Sequence, residues 1–147
     1  MPTANDFFTR EQQTDIVCAI RDAESKTSGE IRVHIEDLCP DDVLNRAAAV
    51  FAMLELHKTA QRNGVLFYLA LTDRKFAILG DAGIHQQVPP HFWDEVKSAV
   101  LQQFTLQNYA QGLINGITLA GEKLAELFPY ESGDKNELSD EISFGTN

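Results

Sequence analysis

The sequence predicts an α/β protein, a three-layer α/β/α sandwich built around a small mixed sheet. Segments with apolar residues at helical spacing alternate with short apolar segments typical of strands. The chain has 147 residues, 44% of them apolar, which is enough for one compact core. We expect a single domain over residues 1–129. Residues 130–147 contain five acidic residues and one lysine, so we expect an acidic, flexible C-terminal tail.

The N-terminal part predicts a helix followed by a strand. Thr9 and Gln12 form a capping-box pattern, and apolar residues then recur at helical spacing to about residue 26. Over residues 30–36 the period changes to two, which indicates a strand near a sheet edge with one buried face and one solvent-exposed polar face. The polar positions are Glu30, Arg32, His34 and Glu36.

The middle of the chain predicts a helix and two further strands. Residues 40–42, Pro-Asp-Asp, suit a helix start, and the apolar stripe that follows extends to about residue 57. Residues 65–71 are apolar throughout, as in a central strand covered on both faces. A strand, a helix and a strand in this order imply a parallel crossover. Since only residues 72–74 separate the next strand, residues 75–79, this strand must return antiparallel as a hairpin.

Two helices are predicted in the C-terminal third. Pro89-Pro90 precedes a helical stripe that continues to about Gln107. Asn108, with Gln111, is predicted to cap a final helix that Pro129 ends. Four helices can then cover both faces of the sheet.

Charge and hydropathy exclude some classes of partner. The net charge of -10 and the absence of a clustered basic patch argue against nucleic acid as a partner. The longest apolar run is far shorter than the roughly 20 residues of a membrane-spanning helix, and the N-terminus has no basic segment followed by an apolar run. We therefore expect a cytoplasmic protein without a signal peptide or membrane anchor.

Five short segments together carry a family resemblance. In order they read Ser28-Gly29-Glu30-Ile31-Arg32-Val33, Asn63-Gly64-Val65-Leu66, Asp73-Arg74-Lys75, Gly80-Asp81-Ala82-Gly83-Ile84 and Asn108-Tyr109-Ala110-Gln111-Gly112-Leu113. Over about residues 9–128 the chain resembles the TPM domain, the family named for a thylakoid-lumen acid phosphatase and its relatives. The resemblance implies an α/β/α sandwich, binding of calcium or a similar divalent ion and, in the thylakoid members, acid phosphatase activity. Other members are periplasmic or membrane-associated subunits without established catalysis.

The chain departs from the exported members of this family in two ways. It shows no export signal, so it is most similar to a small cytosolic branch. Its glycine-bearing loop, residues 80–84, reads GDAGI instead of a more hydrophobic glycine-rich segment. For both reasons, the metal binding implied by the family carries over better than the catalysis.

The inferred topology gathers acidic residues from separate segments at one edge of the sheet. The starts of the first two strands and the end of the third should meet there, bringing Glu30 close to Asp81. The first turn of the following helix adds Asp94 and Glu95. Because hard cations prefer oxygen ligands, we predict that Glu30, Asp81, Asp94 and Glu95 bind a divalent metal ion, with calcium preferred and magnesium or manganese as alternatives. The competing interpretation is structural: a turn cap, a solvent-facing strand residue and two helix-surface charges.

The opposite edge is the second-ranked location for a metal. It carries Asp37, Asp41, Asp42 and Asp73, and ligands often bind beyond the carboxyl ends of parallel strands. Helix-start charge explains Asp41 and Asp42 equally well, and a hairpin turn explains Asp73.

No motif for covalent catalysis is present, so no catalytic residue is predicted. The four histidines lack the HExxH spacing of a zinc helix, and the sequence contains neither a GxSxG elbow nor a P-loop. The preferred function is a non-catalytic metal-binding module with an interaction or regulatory role and a protein partner. The alternative is a metal-dependent acid phosphatase that hydrolyses phosphomonoesters.

Overall fold

The computed structural model describes residues 4–130 and 141–145. Its elements follow in the order α1 (Ala4–Phe7), α2 (Arg10–Glu24), β1 (Glu30–Glu36), α3 (Val43–Met53), β2 (Gly64–Ala70), β3 (Lys75–Gly80), α4 (Ala82–His85), α5 (Asp94–Thr105), α6 (Tyr109–Leu127) and β4 (Ser143–Phe144). Every helix and strand that the sequence predicts is present. The short elements α1, α4 and β4 were not predicted.

The four strands form one mixed sheet in the order β3-β2-β1-β4. β1 and β2 are parallel, with Glu30 opposite Gly64, and β3 returns antiparallel on β2, with Gly80 opposite Val65. The predicted parallel arrangement and hairpin are therefore confirmed. β1 and β2 begin at the edge where β3 ends, which we call the Asp81 edge. The opposite edge, where β1 and β2 end, we call the Asp73 edge.

Helices cover both faces of the sheet, as the predicted three-layer sandwich requires. On one face, α2, α5 and α6 pack over a continuous core that includes the fully buried Ile31, Val33 and Phe67. On the other face, α3 packs over a smaller core around Leu66 and Tyr68. Burial of each large apolar side chain stabilises the fold by about 1.5–3 kcal/mol.

β1 is buried on both faces, so the predicted solvent-exposed polar face is wrong. Glu30, His34 and Glu36 are 2%, 2% and 0% exposed. The period-two rule assumes that water solvates the polar face of a strand. Here Arg46 of α3 and Tyr68 of β2 supply hydrogen bonds to Glu36 in place of water.

The two predicted helix caps have different outcomes. The capping box at α2 is confirmed, since the Thr9 hydroxyl accepts from the Gln12 amide at 3.0 Å and Gln12 Oε1 accepts from the Thr9 amide at 2.9 Å. The predicted side-chain cap of α6 is wrong, because Asn108 makes no cap hydrogen bond. Its side-chain amide donates to Gln103 Oε1 at 3.4 Å, so it bonds to the end of α5 instead.

Part of the acidic C-terminal segment pairs with the sheet. Ser143 and Phe144 lie parallel to His34 and Ile35, and the Gly145 amide donates to the Ile35 carbonyl at 2.8 Å. β1 therefore has a neighbouring strand on each side, although β4 is only two residues long. The tail predicted for residues 131–140 and 146–147 lies outside the described residues.

Among the helices described, none combines the length and the hydropathy needed to cross a bilayer.

Candidate functional site

The three segments predicted to meet at the Asp81 edge do so. Glu30 is the first residue of β1 and pairs with Gly64, the first residue of β2. The Gly64 carbonyl accepts from the Asp81 amide at 2.9 Å, which ties the residue after β3 to the start of β2. The hairpin thus brings Asp81 and Glu30 to the same side of the sheet.

Asp81 is held by hydrogen bonds from its own chain. It is 7% exposed and caps α4, its Oδ1 accepting from the Ala82 amide at 2.8 Å. Arg62 forms a bidentate pair with it, Nε to Oδ2 at 2.7 Å and Nη2 to Oδ1 at 2.9 Å. The hydrogen bonds that Arg62 donates to Asp81, and the negative charge of Asp81, raise the pKa of Arg62. Both carboxylate oxygens of Asp81 therefore already accept charge-assisted hydrogen bonds.

Backbone packing at this edge requires glycine at residue 83. A Cβ at Gly83 would lie 2.1 Å from the Gln61 carbonyl oxygen and 2.6 Å from that of Arg62. The Gly83 amide donates to the same Arg62 carbonyl at 2.8 Å. Gly83, the second glycine of the GDAGI segment, thus allows the loop that carries Arg62 to approach α4 closely.

Glu30 and Asn63 place polar groups in the interior at the Asp81 edge. They are 2% and 1% exposed. The Asn63 side-chain nitrogen donates to Ser28 Oγ at 3.3 Å, whereas its buried Oδ1 accepts no hydrogen bond from the described residues. An acceptor oxygen buried in this way costs about 1–3 kcal/mol unless a donor or a cation reaches it.

Asp94 and Glu95 lie on the exposed first turn of α5, each beside a basic side chain. An oxygen of Asp94 is 3.2 Å from His91 Nδ1, and an oxygen of Glu95 is 3.0 Å from Lys123 Nζ. Across residues 4–130 and 141–145, no group of three or more His, Cys, Asp and Glu side chains is arranged to hold a metal ion. The structure therefore brings Glu30 and Asp81 to one edge without forming a four-carboxylate cluster. Metal binding by these four residues stays a prediction.

At the Asp73 edge, the acidic loops are held by hydrogen bonds from backbone amides. Asp73 Oδ2 accepts from the Cys39 amide at 2.7 Å, and the Thr72 amide donates to the Asp37 carbonyl at 2.8 Å, so the loops after β1 and β2 are bonded together. Asp42 caps α3 through the amides of residues 44 and 45, and Asp41 accepts from the Asp42 amide at 2.7 Å. None of the four aspartates takes part in a salt bridge within the described parts of the chain.

A buried ionic network lies behind the Asp73 edge. Glu36, which ends β1, accepts from Arg46 Nε and Nη2, each at 2.8 Å, and from the Tyr68 hydroxyl. His34 Nε2 lies 3.0 Å from Glu36 Oε1, and His34 Nδ1 lies 2.9 Å from Ser143 Oγ of β4. The network joins β1 to β2, α3 and β4.

The network shifts the pKa values of its members. Burial by itself raises the pKa of Glu36, but hydrogen bonds from Arg46, Tyr68 and His34 outweigh it and lower the pKa to about 2. Burial lowers the pKa of His34, and burial together with the hydrogen bond to Glu36 raises the pKa of Tyr68. Glu36 is therefore ionised at neutral pH.

Sequence reasoning missed this network, although one signal was available. Arg46 lies three residues after Val43 and four before Val50, on the apolar stripe that the helical spacing defines. A cation at that position faces the sheet, where it requires a buried carboxylate as a partner.

Comparison with known proteins identifies relatives of this fold. No curated protein matches the chain. The chain is similar to the BA42 protein of the psychrophilic bacterium Bizionia argentinensis, solved by NMR, with 46% identity and a TM-score of 0.92 over 99% of this chain and all of that one. It shares the fold of an N-terminal domain from P. gingivalis, at 16% identity and a TM-score of 0.66 over 82% of this chain and 78% of that one.

The family model of the TPM domain matches residues 3–123, which is most of the chain. This match agrees with the five segments of the sequence and with the sandwich they imply. The chain belongs to the TPM domain family.

Proposed function

We propose that this TPM domain binds a divalent cation, calcium in preference to magnesium or manganese, and acts as a non-catalytic interaction or regulatory module. We place the ion at the Asp73 edge. One observation carries the choice of edge: the four aspartates there have no cationic partner in the described residues. At the other edge, Asp81 pairs with Arg62 and Glu95 with Lys123, and Asp94 lies beside His91. A divalent ion bound there would supply the cationic partner that these aspartates lack in the described residues.

The backbone at the Asp73 edge suits a weak, open site. The hydrogen bond from Cys39 to Asp73 fixes the two acidic loops relative to one another without consuming the other oxygen of Asp73. Calcium accepts carboxylates, backbone carbonyls and waters in irregular geometry, so fewer than three protein carboxylates suffice when waters complete the shell. We expect a dissociation constant of about 1 mM, the weak end of the range for calcium modules.

The adjacent helix supports an interaction role. Leu44 and Met53 are 58% and 60% exposed on the outer face of α3, and exposed alanines lie between them. Because Asp42 both caps α3 and belongs to the acidic loop, an ion bound there would stabilise the start of the helix that presents this apolar surface. The partner we propose is therefore a protein, in the cytoplasm, that binds α3.

The Asp81 edge, with Glu30, Asp81, Asp94 and Glu95, is the competing location for the same ion. The buried Asn63 Oδ1 speaks for it, because a cation there would satisfy this oxygen. Binding at that edge would require Arg62 to release Asp81.

Thermal unfolding with added ions tests the function and the location together. With a dissociation constant of about 1 mM, 10 mM calcium stabilises the native state by about 1.4 kcal/mol, which raises Tm by about 4 °C. Asp73→Asn retains an oxygen that can accept from Cys39 but loses the charge, so we expect it to lose most of this rise. Asp81→Asn is the matched variant at the other edge and should keep it. An unchanged Tm in calcium, magnesium and manganese would remove the proposal, and loss of the rise in Asp81→Asn alone would move the ion to the Asp81 edge.

Phosphomonoester hydrolysis is the second candidate, favoured by one feature of the Asp73 edge. Arg74 follows Asp73 at the hairpin tip and forms no salt bridge within the described residues, so it is available to bind a phosphoryl group beside a metal. Turnover of p-nitrophenyl phosphate that depends on the metal, and that both Asp73→Asn and Arg74→Gln abolish, would support catalysis. Absence of turnover with all three metals would leave the non-catalytic role.

A further inference from the structure

A cavity lies between the β2–β3 hairpin and α5 and adjoins the Asp73 edge, since Thr72 and Arg74, on either side of Asp73, line it. Its volume is about 780 Å³. The hairpin contributes Leu71 and Phe76 to its wall, and α5 contributes Leu101 and Phe104. Leu101 is 38% exposed, so an apolar wall of this cavity is open to solvent.

The charges that line the cavity are all positive. Arg74, Lys75 and Lys97 lie on its rim, and no acidic residue is among its lining residues. This is a local inversion, because the chain as a whole has 22 acidic and 12 basic residues. No salt bridge in the described parts of the chain involves any of the three cations. Their charge is therefore available to a ligand.

Size and chemistry together define the ligand class. A concave cavity of this volume falls within the range of small-molecule sites, about 300–1,000 Å³, and presents too little surface for a protein interface. The apolar wall accommodates an alkyl chain, and the cationic rim pairs with an anionic head group. We infer that the cavity binds a single-chain fatty acid, with its carboxylate at Arg74, Lys75 and Lys97 and its alkyl chain against Leu101 and Phe104.

Amide chemical-shift mapping with sodium dodecanoate below its micelle concentration tests this site in the full chain. The buffer contains no calcium, because calcium precipitates the soap. We expect saturable shifts in residues 71–76 and 97–105, and about tenfold weaker binding of decanoate, which is two methylenes shorter. Dodecyltrimethylammonium has the same chain with a positive head group and should leave these amides unshifted.

Paired charge variants separate a specific site from general attraction. Arg74→Gln with Lys97→Gln removes two rim charges, and we expect it to weaken dodecanoate binding about fivefold. Lys26→Gln with Lys58→Gln removes two exposed charges elsewhere and should leave the affinity unchanged. Leu101→Glu, which places a negative charge on an exposed part of the wall, should abolish binding while Tm stays close to the parent value.

Each outcome decides for or against the fatty-acid site without involving the metal. Equal weakening by the two double variants, equal binding of the ammonium compound in the cavity, or dodecanoate shifts confined to other surfaces would each overturn the inference. Asp73→Asn should bind dodecanoate with at least the affinity of the parent, so failure of the metal proposal leaves this result intact.

Discussion

Replacement of Glu36 by glutamine should destabilise the protein by about 3 kcal/mol at pH 7. Glu36 is fully buried, and its pKa falls from the ordinary value of 4.5 to about 2 on folding. A shift of this size corresponds to about 3 kcal/mol of stability in the ionised form. Glutamine keeps the shape of the side chain but loses the charge that Arg46 and Tyr68 stabilise.

The stability that Glu36 contributes should depend on pH, and the direction of its pKa shift fixes the direction of that dependence. Because the folded pKa is depressed, the stabilisation is complete above about pH 5.5 and is lost as the pH falls from 4.5 toward 2, where the unfolded chain binds a proton before the folded one does. The difference between parent and Glu36→Gln should therefore fall to about half its neutral value at pH 3. Glu36→Gln itself should lack this part of the acid sensitivity.

Urea unfolding at pH 7, 5 and 3 measures the effect, with Tm as a second readout that should fall by about 10 °C at pH 7. Glu55→Gln is the matched control, because Glu55 pairs with Lys58 on the surface at 61% and 60% side-chain exposure. We expect the control to lose less than about 0.5 kcal/mol. An equal loss of stability at pH 7 and pH 3, or equal losses in the two variants, would refute the assignment of Glu36 as a buried, ionised centre.

Three further predictions test the positions of individual residues. Gly83→Ala should destabilise the fold by about 2 kcal/mol, because its Cβ meets two carbonyl oxygens, whereas Gly80→Ala meets side chains at 3.3 Å or more and should cost clearly less by urea unfolding. Thr9→Ala removes the capping box and should cost about 1 kcal/mol in the same assay, while Thr14→Ala, on the exposed face of α2, should change stability little. Hydrogen exchange should protect the Gly145 amide, which donates to the Ile35 carbonyl, and fast exchange of this amide would show that β4 is not paired.

The strand topology could be predicted from the sequence, because each local pattern was compatible with only one arrangement of neighbouring strands. The polar segment 72–74 is too short for a crossover, so β3 had to return beside β2, and this placed Asp81 at the edge where Glu30 begins β1. The capping box at Thr9 is equally local, since all its partners lie within three residues.

The charge pairs of the site did not follow from the sequence, because they depend on contacts between distant segments. From the sequence alone, Glu36 is predicted to be a solvent-facing strand residue, because nothing in the local pattern indicates that Arg46 of α3 packs against it. Asp81 reads as a free carboxylate unless Arg62 is known to lie beside it, 19 residues earlier in the chain. The prediction of a metal at Asp81 rested on the carboxylates and on the family resemblance. Neither indicates that Arg62 pairs with Asp81 or Lys123 with Glu95.

Titration of the ¹⁵N-labelled protein with calcium, followed amide by amide, tests the proposed function most directly. Binding at the Asp73 edge should shift the amides of residues 37–42 and 72–74 along one saturable curve, and leave residues 28–30 and 80–84 in place. Shifts confined to residues 28–30 and 80–84, or no saturable shift up to 10 times the expected dissociation constant of about 1 mM, would contradict the account.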